Sequence, residues 1–189
     1  MNMEITLVRH GKPNIPATAK IHAHELYRWI DAYNLANLDT RHEPPEQLIT
    51  LVQQCNTIVC SDLRRSLHSA ELLGVKNINR IDAIFREVEL PYATMRSPKL
   101  SPATWSVIFR ILWFMGYAEN SEPKDTARQK ATNAANILHE LALRNDSVVL
   151  IGHSIFNNFI ARQLQIKGWR GCSSIFSKHW EISKFEYMK

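Results

Sequence analysis

Three short, mostly apolar runs alternate along the chain with longer segments of mixed polarity. They cover residues 5–8, 57–60 and 147–152, and each is rich in β-branched residues. Runs of this length and composition are typical of strands that are covered on both faces. The later segment HWEISKFEY, residues 179–187, has weaker strand character and predicts one further strand.

Helical patterns separate these runs. The segment SLHSAELLG, residues 66–74, follows the second run and reaches a glycine of the kind that ends helices. The segment SIFNNFIARQL, residues 154–164, follows the third run. Residues 125–146 carry apolar side chains at helical spacing, at Ala134, Ile137, Leu138, Leu141 and Ala142. Strands that alternate with helices predict an α/β fold with a mainly parallel sheet.

Residues 88–124 break this alternation. They begin with the proline-rich LPYATMRSPKLSP and continue with TWSVIFRILWFMGY, which is apolar on nearly every side apart from Arg110. A helix of this kind is usually buried, although docking on a membrane or on a partner protein is also open. We predict that residues 1–189 form a single domain, in which residues 88–124 are an insertion that partly covers one end of the sheet.

The composition is that of an ordinary globular protein. The 189 residues are 45% hydrophobic, and no run approaches the ~20 apolar residues that cross a bilayer. The N-terminal segment lacks the basic and then apolar pattern of a secretory signal. The three cysteines, Cys55, Cys60 and Cys172, do not have the number or spacing of a disulfide framework or a zinc site. We therefore expect reduced thiols in a cytoplasmic protein.

The formal charge of +5 favours anionic ligands. The cationic residues are scattered and no basic run is interleaved with aromatic residues, so nucleic acid is not expected as a partner. A small phosphorylated substrate would suit the charge, although the charge alone does not require a ligand. His22, His24 and His42 lack the spacing of metal ligands, and no metal is expected.

Polar residues follow each predicted strand at the point where it ends. The three clusters are Arg9, His10 and Gly11; Ser61, Asp62, Arg64 and Arg65; and His153 and Ser154. Because ligands of open α/β sheets bind beyond the carboxyl ends of the strands, these clusters are expected to converge. Guanidinium groups match the oxygens of phosphate, and a helix starting at Ser154 would point free N–H groups at the same place. The pattern predicts a site for a phosphate-type anion.

Two histidines at such a site allow chemistry as well as binding. Neutral imidazole is a nucleophile, and a covalent intermediate divides a difficult displacement into easier steps. Phosphoryl transfer also needs neutralised charge and a proton donor for the leaving oxygen. The segment FREVEL supplies two candidate donors, Glu87 and Glu89.

Four segments, in this order, resemble the histidine phosphatase superfamily, also called the phosphoglycerate mutase-like family. LVRHG, residues 7–11, resembles the signature whose histidine becomes phosphorylated, and SDLRRSLHSA, residues 61–70, resembles the segment with the second phosphate-binding arginine. IFREVEL, residues 84–90, is similar to the segment that carries the acid, and VVLIGHS, residues 148–154, to the one with the second histidine. The resemblance implies a three-layer α/β/α sandwich with a mainly parallel central sheet.

The resemblance also implies roles for individual residues. His10 would carry the phosphoryl group, Arg9 and Arg65 would bind it, and His153 would complete the pocket. Gly11 would allow the backbone to approach the phosphate closely. No metal or organic cofactor is implied, because arginines and histidines would supply the positive charge.

The proton donor and the substrate contacts are assigned from fewer positions that match the family pattern. The match places the proton donor at Glu87, with Glu89 as the fallback. Asn14 and Ser154 are candidate substrate contacts. The sequence departs from the family pattern at Pro13 and Pro16, where many members have Thr and Asn, and after His153, where the usual glycines are absent.

We therefore predict a phosphatase that hydrolyses a phosphomonoester through a phosphohistidine intermediate. A phosphoglycerate-type phosphomutase and a non-catalytic protein that binds a phosphorylated ligand are the alternatives. The departures from the family pattern lie where a substrate would be held, so they leave the substrate class open. A homodimer is a further expectation, and the apolar helix of residues 105–114 is a candidate surface for a second copy or for another partner, while the role of the whole apolar segment 105–117 stays open.

Overall fold

A six-stranded sheet forms the centre of the molecule. The computed structural model describes residues 2–15, 19–94, 96–173 and 177–188. Its strands are β1 (Asn2–Arg9), β2 (Thr57–Cys60), β3 (Arg80–Ile81), β4 (Ser147–Gly152), β5 (Arg170–Gly171) and β6 (Ile182–Met188). They lie in the order β3-β2-β4-β1-β6-β5. The three apolar runs of the sequence thus become three adjacent strands, β2, β4 and β1.

The sheet is mixed and mostly parallel. β4 pairs in parallel with both β1 and β2, and β2 pairs in parallel with β3. β6 runs antiparallel to β1, and β5 antiparallel to β6. The register joins Arg9 to Gly152 and Cys60 to Ile151, so the carboxyl ends of β1, β2 and β4 meet at one edge. The prediction of a mainly parallel sheet is confirmed.

The described residues contain six α-helices. They are α1 (Leu26–Leu35), α2 (Glu46–Gln54), α3 (Arg64–Leu72), α4 (Pro102–Phe114), α5 (Lys124–Asn145) and α6 (Ser154–Ile166). The helices predicted after the second and third apolar runs are α3 and α6, and Gly74 follows α3 with a left-handed φ of 74°. The sequence pattern did not predict α1 and α2.

Both faces of the sheet are covered, as the apolar runs predicted. Side chains of successive strand residues point to opposite faces. Leu7 belongs to the apolar cluster that includes residues of α5 and α6, whereas its neighbour Val8 belongs to the cluster that includes residues of α2 and α3. This arrangement makes the three-layer α/β/α sandwich that the resemblance implied.

Helix α4 is buried on one face only. Trp105 and Phe109 join a third apolar cluster with Leu26 at the start of α1. The opposite face leaves Val107 and Ile111 more than half exposed, at 61% and 54%. The predicted burial of this helix is therefore wrong for that face. The assignment of residues 88–124 to a covering insertion within a single domain stays a prediction.

Two other expectations concern the molecule as a whole. Within the described ranges, none of the helices combines the length and apolar content needed to cross a bilayer. The three thiols, Cys55, Cys60 and Cys172, are unpaired.

Candidate active site

The polar residues that follow β1 and β4 meet at the edge of the sheet. His10 and His153 are both buried, and their ring centroids lie 5.1 Å apart. The His10 backbone N–H donates to the Gly152 carbonyl at 3.0 Å, which continues the pairing of β1 with β4. Arg65, in the first turn of α3, is also buried and donates from Nε to His10 Nε2 at 3.2 Å. Three clusters far apart in sequence are thus brought together.

The hydrogen-bond network assigns the tautomer of His10. Its Nδ1 lies 2.7 Å from the Gly11 carbonyl oxygen, which can only accept a hydrogen bond, so Nδ1 carries the proton. Nε2 then keeps its lone pair and accepts the Arg65 Nε–H. This is the tautomer in which Nε2 is available as a nucleophile.

Both buried histidines are held neutral by their surroundings. Burial, together with the Arg65 and Arg9 guanidiniums, lowers the pKa of His10 well below its usual value of 6.5. Burial lowers the pKa of His153 in the same way, with Arg65 and His10 contributing next. Burial also lowers the pKa of Arg65, which the nearby Tyr33 and the Glu87 carboxylate oppose.

Several buried polar atoms next to His10 lack a hydrogen-bond partner. Among the described residues, Arg9 Nε and both ring nitrogens of His153 have none. Leaving such groups buried and unpaired costs about 1–3 kcal/mol each, so a native site with several of them calls for an explanation. A phosphate-type anion would satisfy both the guanidinium and the neutral imidazole N–H.

Glu87 occupies the N-terminus of α6. Its carboxylate accepts the backbone N–H groups of Phe156 at 2.8 Å and Ile155 at 3.2 Å. It also accepts the Val88 N–H at 3.0 Å. The expectation that the first N–H groups of this helix are free for a ligand is therefore wrong for residues 155 and 156. The carboxylate lies at the border of the cluster, close enough to raise the pKa of Arg65.

The other candidate residues are placed less centrally. The Glu89 carboxylate is exposed and accepts the Glu122 N–H at 2.8 Å. Asn14 is exposed, and its backbone N–H donates to the Asn37 carbonyl at 2.7 Å. Within the described part of the chain, no hydrogen bond joins the Asn14 side chain to His10 or Arg65. Pro16 lies outside the described residues.

Ser154 connects the start of α6 to a segment near the C-terminus. The hydroxyl is buried and accepts the Ser177 backbone N–H at 3.1 Å, and the two hydroxyl oxygens lie 3.2 Å apart. Arg9 donates from Nη1 to the Ser177 carbonyl. Residues 177–181, which precede β6, thus contact two of the candidate residues. We call this stretch the C-terminal segment.

The C-terminal segment adds a third imidazole that the sequence did not predict. His179 Nδ1 lies 3.1 Å from the His10 carbonyl oxygen, and the two ring centroids are 5.4 Å apart. Burial and the Arg9 guanidinium lower the pKa of His179 to about 4. The weak strand pattern of residues 179–187 was the signal for β6, but nothing in it pointed to a site.

Two residues of α1 were also missed. The Arg65 guanidinium lies over the Tyr33 ring, with its carbon 4.9 Å from the ring centroid, and Nη1 donates to Asn34 Oδ1 at 2.8 Å. These contacts hold the guanidinium in one orientation beside His10. The sequence carried no signal for them, because α1 itself was not predicted.

The structure gives a reason for glycine at position 11 that differs from the expected close approach of the backbone to phosphate. A Cβ added at Gly11 would overlap the Trp180 indole of the C-terminal segment. The Trp180 backbone N–H donates to the Arg9 carbonyl at 3.1 Å, and its indole N–H to the His42 carbonyl at 2.9 Å. Glycine at this position therefore makes room for the indole.

Known proteins match this chain in structure. No protein-family model and no curated protein sequence matches the chain. Solved structures match it over nearly its whole length. The product of open reading frame Rv3214 from Mycobacterium tuberculosis aligns with a TM-score of 0.65 and 14% identity, covering 97% of this chain and 91% of that one.

A mycobacterial glucosyl-3-phosphoglycerate phosphatase, Rv2419c, aligns with a TM-score of 0.63 and 16% identity over 98% of this chain and 91% of its own. TTHB049 from Thermus thermophilus aligns with a TM-score of 0.56 and 19% identity over 96% and 92%. The chain has the phosphoglycerate mutase-like fold of the histidine phosphatases. On this histidine phosphatase fold, Arg9, His10 and His153 directly follow or end the two central parallel strands.

The described residues do not provide a group of metal-ligating side chains beside this cluster. Within the described ranges, no group of three or more His, Cys, Asp or Glu side chains could hold a metal ion. The concentrated positive charge of the site comes instead from the guanidinium groups of Arg9 and Arg65.

Proposed function

We propose that the chain is a phosphatase that hydrolyses a phosphomonoester through a phosphohistidine at His10. The observation that carries the proposal is the state of His10, whose unprotonated Nε2 lies beside the guanidinium of Arg65. The unpartnered nitrogens belong to Arg9, the residue before His10, and to His153, whose ring centroid lies 5.1 Å from that of His10. They match the oxygens of a phosphoryl group.

In the proposed first step, His10 Nε2 attacks the phosphorus in line with the leaving oxygen. The Arg65 Nε–H turns from Nε2 to a phosphoryl oxygen as the N–P bond forms and the P–O ester bond breaks. Arg9 and neutral His153 donate to the remaining oxygens and stabilise their charge. Glu87 gives a proton to the departing alkoxide.

In the second step, water attacks the phosphohistidine and Glu87 accepts its proton. The N–P bond breaks, inorganic phosphate leaves, and His10 returns to its neutral state. Asn14 and Ser154 remain proposed substrate contacts, with Ser154 acting together with the C-terminal segment to which it is hydrogen-bonded.

The test is replacement of His10 by alanine, followed by hydrolysis of an aryl phosphate. We expect a loss of at least about 1,000-fold in kcat/KM, because the nucleophile is removed. Wild-type protein stopped in alkali should also gain the mass of one phosphoryl group, and the His10→Ala variant should not. His24→Ala, which removes an exposed histidine, is the control and should keep full activity.

Wild-type hydrolysis by His10→Ala would exclude the proposed nucleophile. A phosphomutase would instead isomerise a phosphorylated acid without net release of phosphate, and a parallel assay of both products separates the two activities.

One observation favours the non-catalytic alternative. The Glu87 carboxylate already accepts three backbone N–H groups, which hold it in place and compete with proton transfer. A protein that only binds a phosphorylated ligand would show saturable phosphate binding and no phosphoenzyme in the stopped reaction.

The cytoplasmic location and the homodimer stay predictions. A dimer would use the exposed apolar stripe formed by Val107 and Ile111 of α4 and by Met115 directly after it. Light scattering of the purified protein, with Ile111→Ser as the comparison, measures whether such a dimer forms.

A further inference from the structure

A second cationic cavity lies beside α5 and α6. Its volume is about 210 Å³. The lining combines three cations, two side-chain amides and two phenyl rings: Lys124, Arg128, Arg162, Asn158, Gln163, Phe114 and Phe159. None of Arg9, His10, Arg65 and His153 lines it, so the cavity is distinct from the site described above.

The positive charge of this cavity is incompletely compensated. No carboxylate is among its lining residues. Arg128 pairs with Asp125 at 2.9 Å, but both side chains are largely exposed, and such pairs are weak. Within the described ranges, neither Lys124 nor Arg162 forms an ion pair. The three cations therefore favour an anion in the cavity.

The N-terminus of α5 adds to the positive charge of the cavity. Lys124 is the first residue of this 22-residue helix, and the preceding Pro123 provides no side-chain cap. The first turn of a long helix carries partial positive charge from its unpaired N–H groups. Because Lys124 and Arg128 line the cavity, this turn runs along its wall.

The opposite wall is fixed by packing. Asn158 and Phe159 are only 6% and 7% exposed. The Asn158 amide donates to Ser173 Oγ at 3.1 Å, and the Trp113 ring contacts both phenyl rings, with centroids 5.9 Å from Phe159 and 5.3 Å from Phe114. This wall of the cavity is thus preformed, as the walls of small-ligand sites usually are.

The cavity lies farther along α6 than the end of the helix that is next to His10. Ser154, Asn158 and Arg162 follow one another every four residues and share one face of the helix. At the rise of an α-helix, Arg162 lies about 12 Å beyond Ser154 along the axis. One phosphoryl group cannot contact both His10 and Arg162.

We propose that this cavity binds a second phosphate-type anion, one with two or more ionised oxygens. Two of its three cations are arginines, whose planar donor pairs match phosphate oxygens. The anion comes either from the far end of an extended, doubly phosphorylated substrate or from a separate effector. Both sources share the same recognition chemistry.

Titration with inorganic pyrophosphate, followed by backbone amide NMR, tests the proposal without requiring turnover. We expect saturable shifts in residues 124–128 and 158–163, and we expect them to persist in Arg65→Ala, which disables the candidate active site. The double variant Arg128→Glu, Arg162→Glu should weaken this binding at least tenfold. The control Lys76→Glu, Arg144→Glu has the same net charge and should bind as the wild type does.

The neutral pair Arg128→Gln, Arg162→Gln serves if the charge-reversed variant does not fold. Shifts confined to the surroundings of His10, or an equal loss in the control, would overturn the proposal. A KM that rises only for a bisphosphate substrate in the double variant identifies the far end of the substrate as the ligand. Unchanged KM values with lost pyrophosphate binding identify a separate effector.

Discussion

At the scale of single residues, the guanidiniums that would bind the substrate also set the protonation of His10. Arg65 donates to Nε2 and, together with burial and Arg9, lowers the pKa of that imidazole well below 6.5. A nucleophile prepared in this way keeps its lone pair at mildly acidic pH.

This arrangement predicts how the His10 pKa responds to its neighbours. Replacing Arg65 by Gln removes a positive charge next to the ring, so the pKa of His10 should rise toward its usual value. NMR titration of the His10 ring measures this directly, whatever the activity of the variant. Arg64→Gln is the matched control, since the Arg64 side chain is exposed and donates to Asn37. Equal shifts of the His10 pKa in the two variants would contradict a specific contact between Arg65 and His10.

A second prediction at this scale concerns the effect of Gly11 on stability. Gly11→Ala should lower the free energy of unfolding by about 1–3 kcal/mol, because the added methyl group overlaps the Trp180 indole. Urea unfolding measures the loss. In a Trp180→Leu background the same substitution should cost much less, and an unchanged cost there would show that the indole is not the cause.

At the scale of elements, the N-terminus of α6 is occupied by a carboxylate from a segment far away in the sequence. Glu87 lies outside any regular helix or strand, just after the short 3₁₀ turn of residues 83–85, yet it caps a helix almost 70 residues later. The same side chain is thus both the helix cap and the proposed proton donor.

These two roles can be separated by substitution. Glu87→Ala should destabilise the fold by about 1–2 kcal/mol, because two N–H groups of α6 lose their acceptor. Glu87→Gln keeps an acceptor oxygen and should lose much less stability, but it should lower kcat, since the amide cannot donate the proton. Urea unfolding and steady-state hydrolysis measure the two effects.

Glu89→Gln is the control for both measurements, since the Glu89 carboxylate contacts Glu122 instead of α6. A Glu87→Gln variant with normal kcat would assign Glu87 to helix capping alone.

The elements also show what the sequence could and could not predict. Strands β1, β2 and β4 were predictable because a strand covered on both faces must be apolar along its length. His10, Arg65 and His153 were predictable because they directly follow strands or begin the next helix. His179 and Asn34 were not, since their contacts span 169 and 31 residues and nothing in the local sequence encodes them.

At the scale of the whole molecule, the buried neutral histidines link stability to pH. The pKa values of His10 and His153 lie well below 6.5 in the fold, and that of His179 is lowered to about 4. In the unfolded chain these side chains titrate near 6.5, so below that pH the unfolded state binds more protons. Their contribution to stability is complete above 6.5 and is lost as pH falls toward the folded pKa values.

We therefore expect the free energy of unfolding to decrease below about pH 6.5, by up to about 1.4 kcal/mol per pH unit for each histidine. Urea unfolding at several pH values between about 5 and 7.5 measures the slope. His153→Gln should reduce it, and the exposed His24→Ala should leave it unchanged. A slope that is the same in all three proteins would show that the buried histidines do not account for the pH dependence.

The order of the sheet has a consequence for biosynthesis. β1 (residues 2–9) is synthesised well before both strands that pair with it, β4 (residues 147–152) and β6 (residues 182–188). The C-terminal segment, which contacts Arg9 and His10, comes just before β6. A growing chain therefore holds His10 without His153 and His179 until residues 153–179 have been synthesised. The proposed phosphoryl chemistry at His10 should begin only after β6 has joined the sheet, so a ribosome-stalled chain that ends before residue 177 should be inactive.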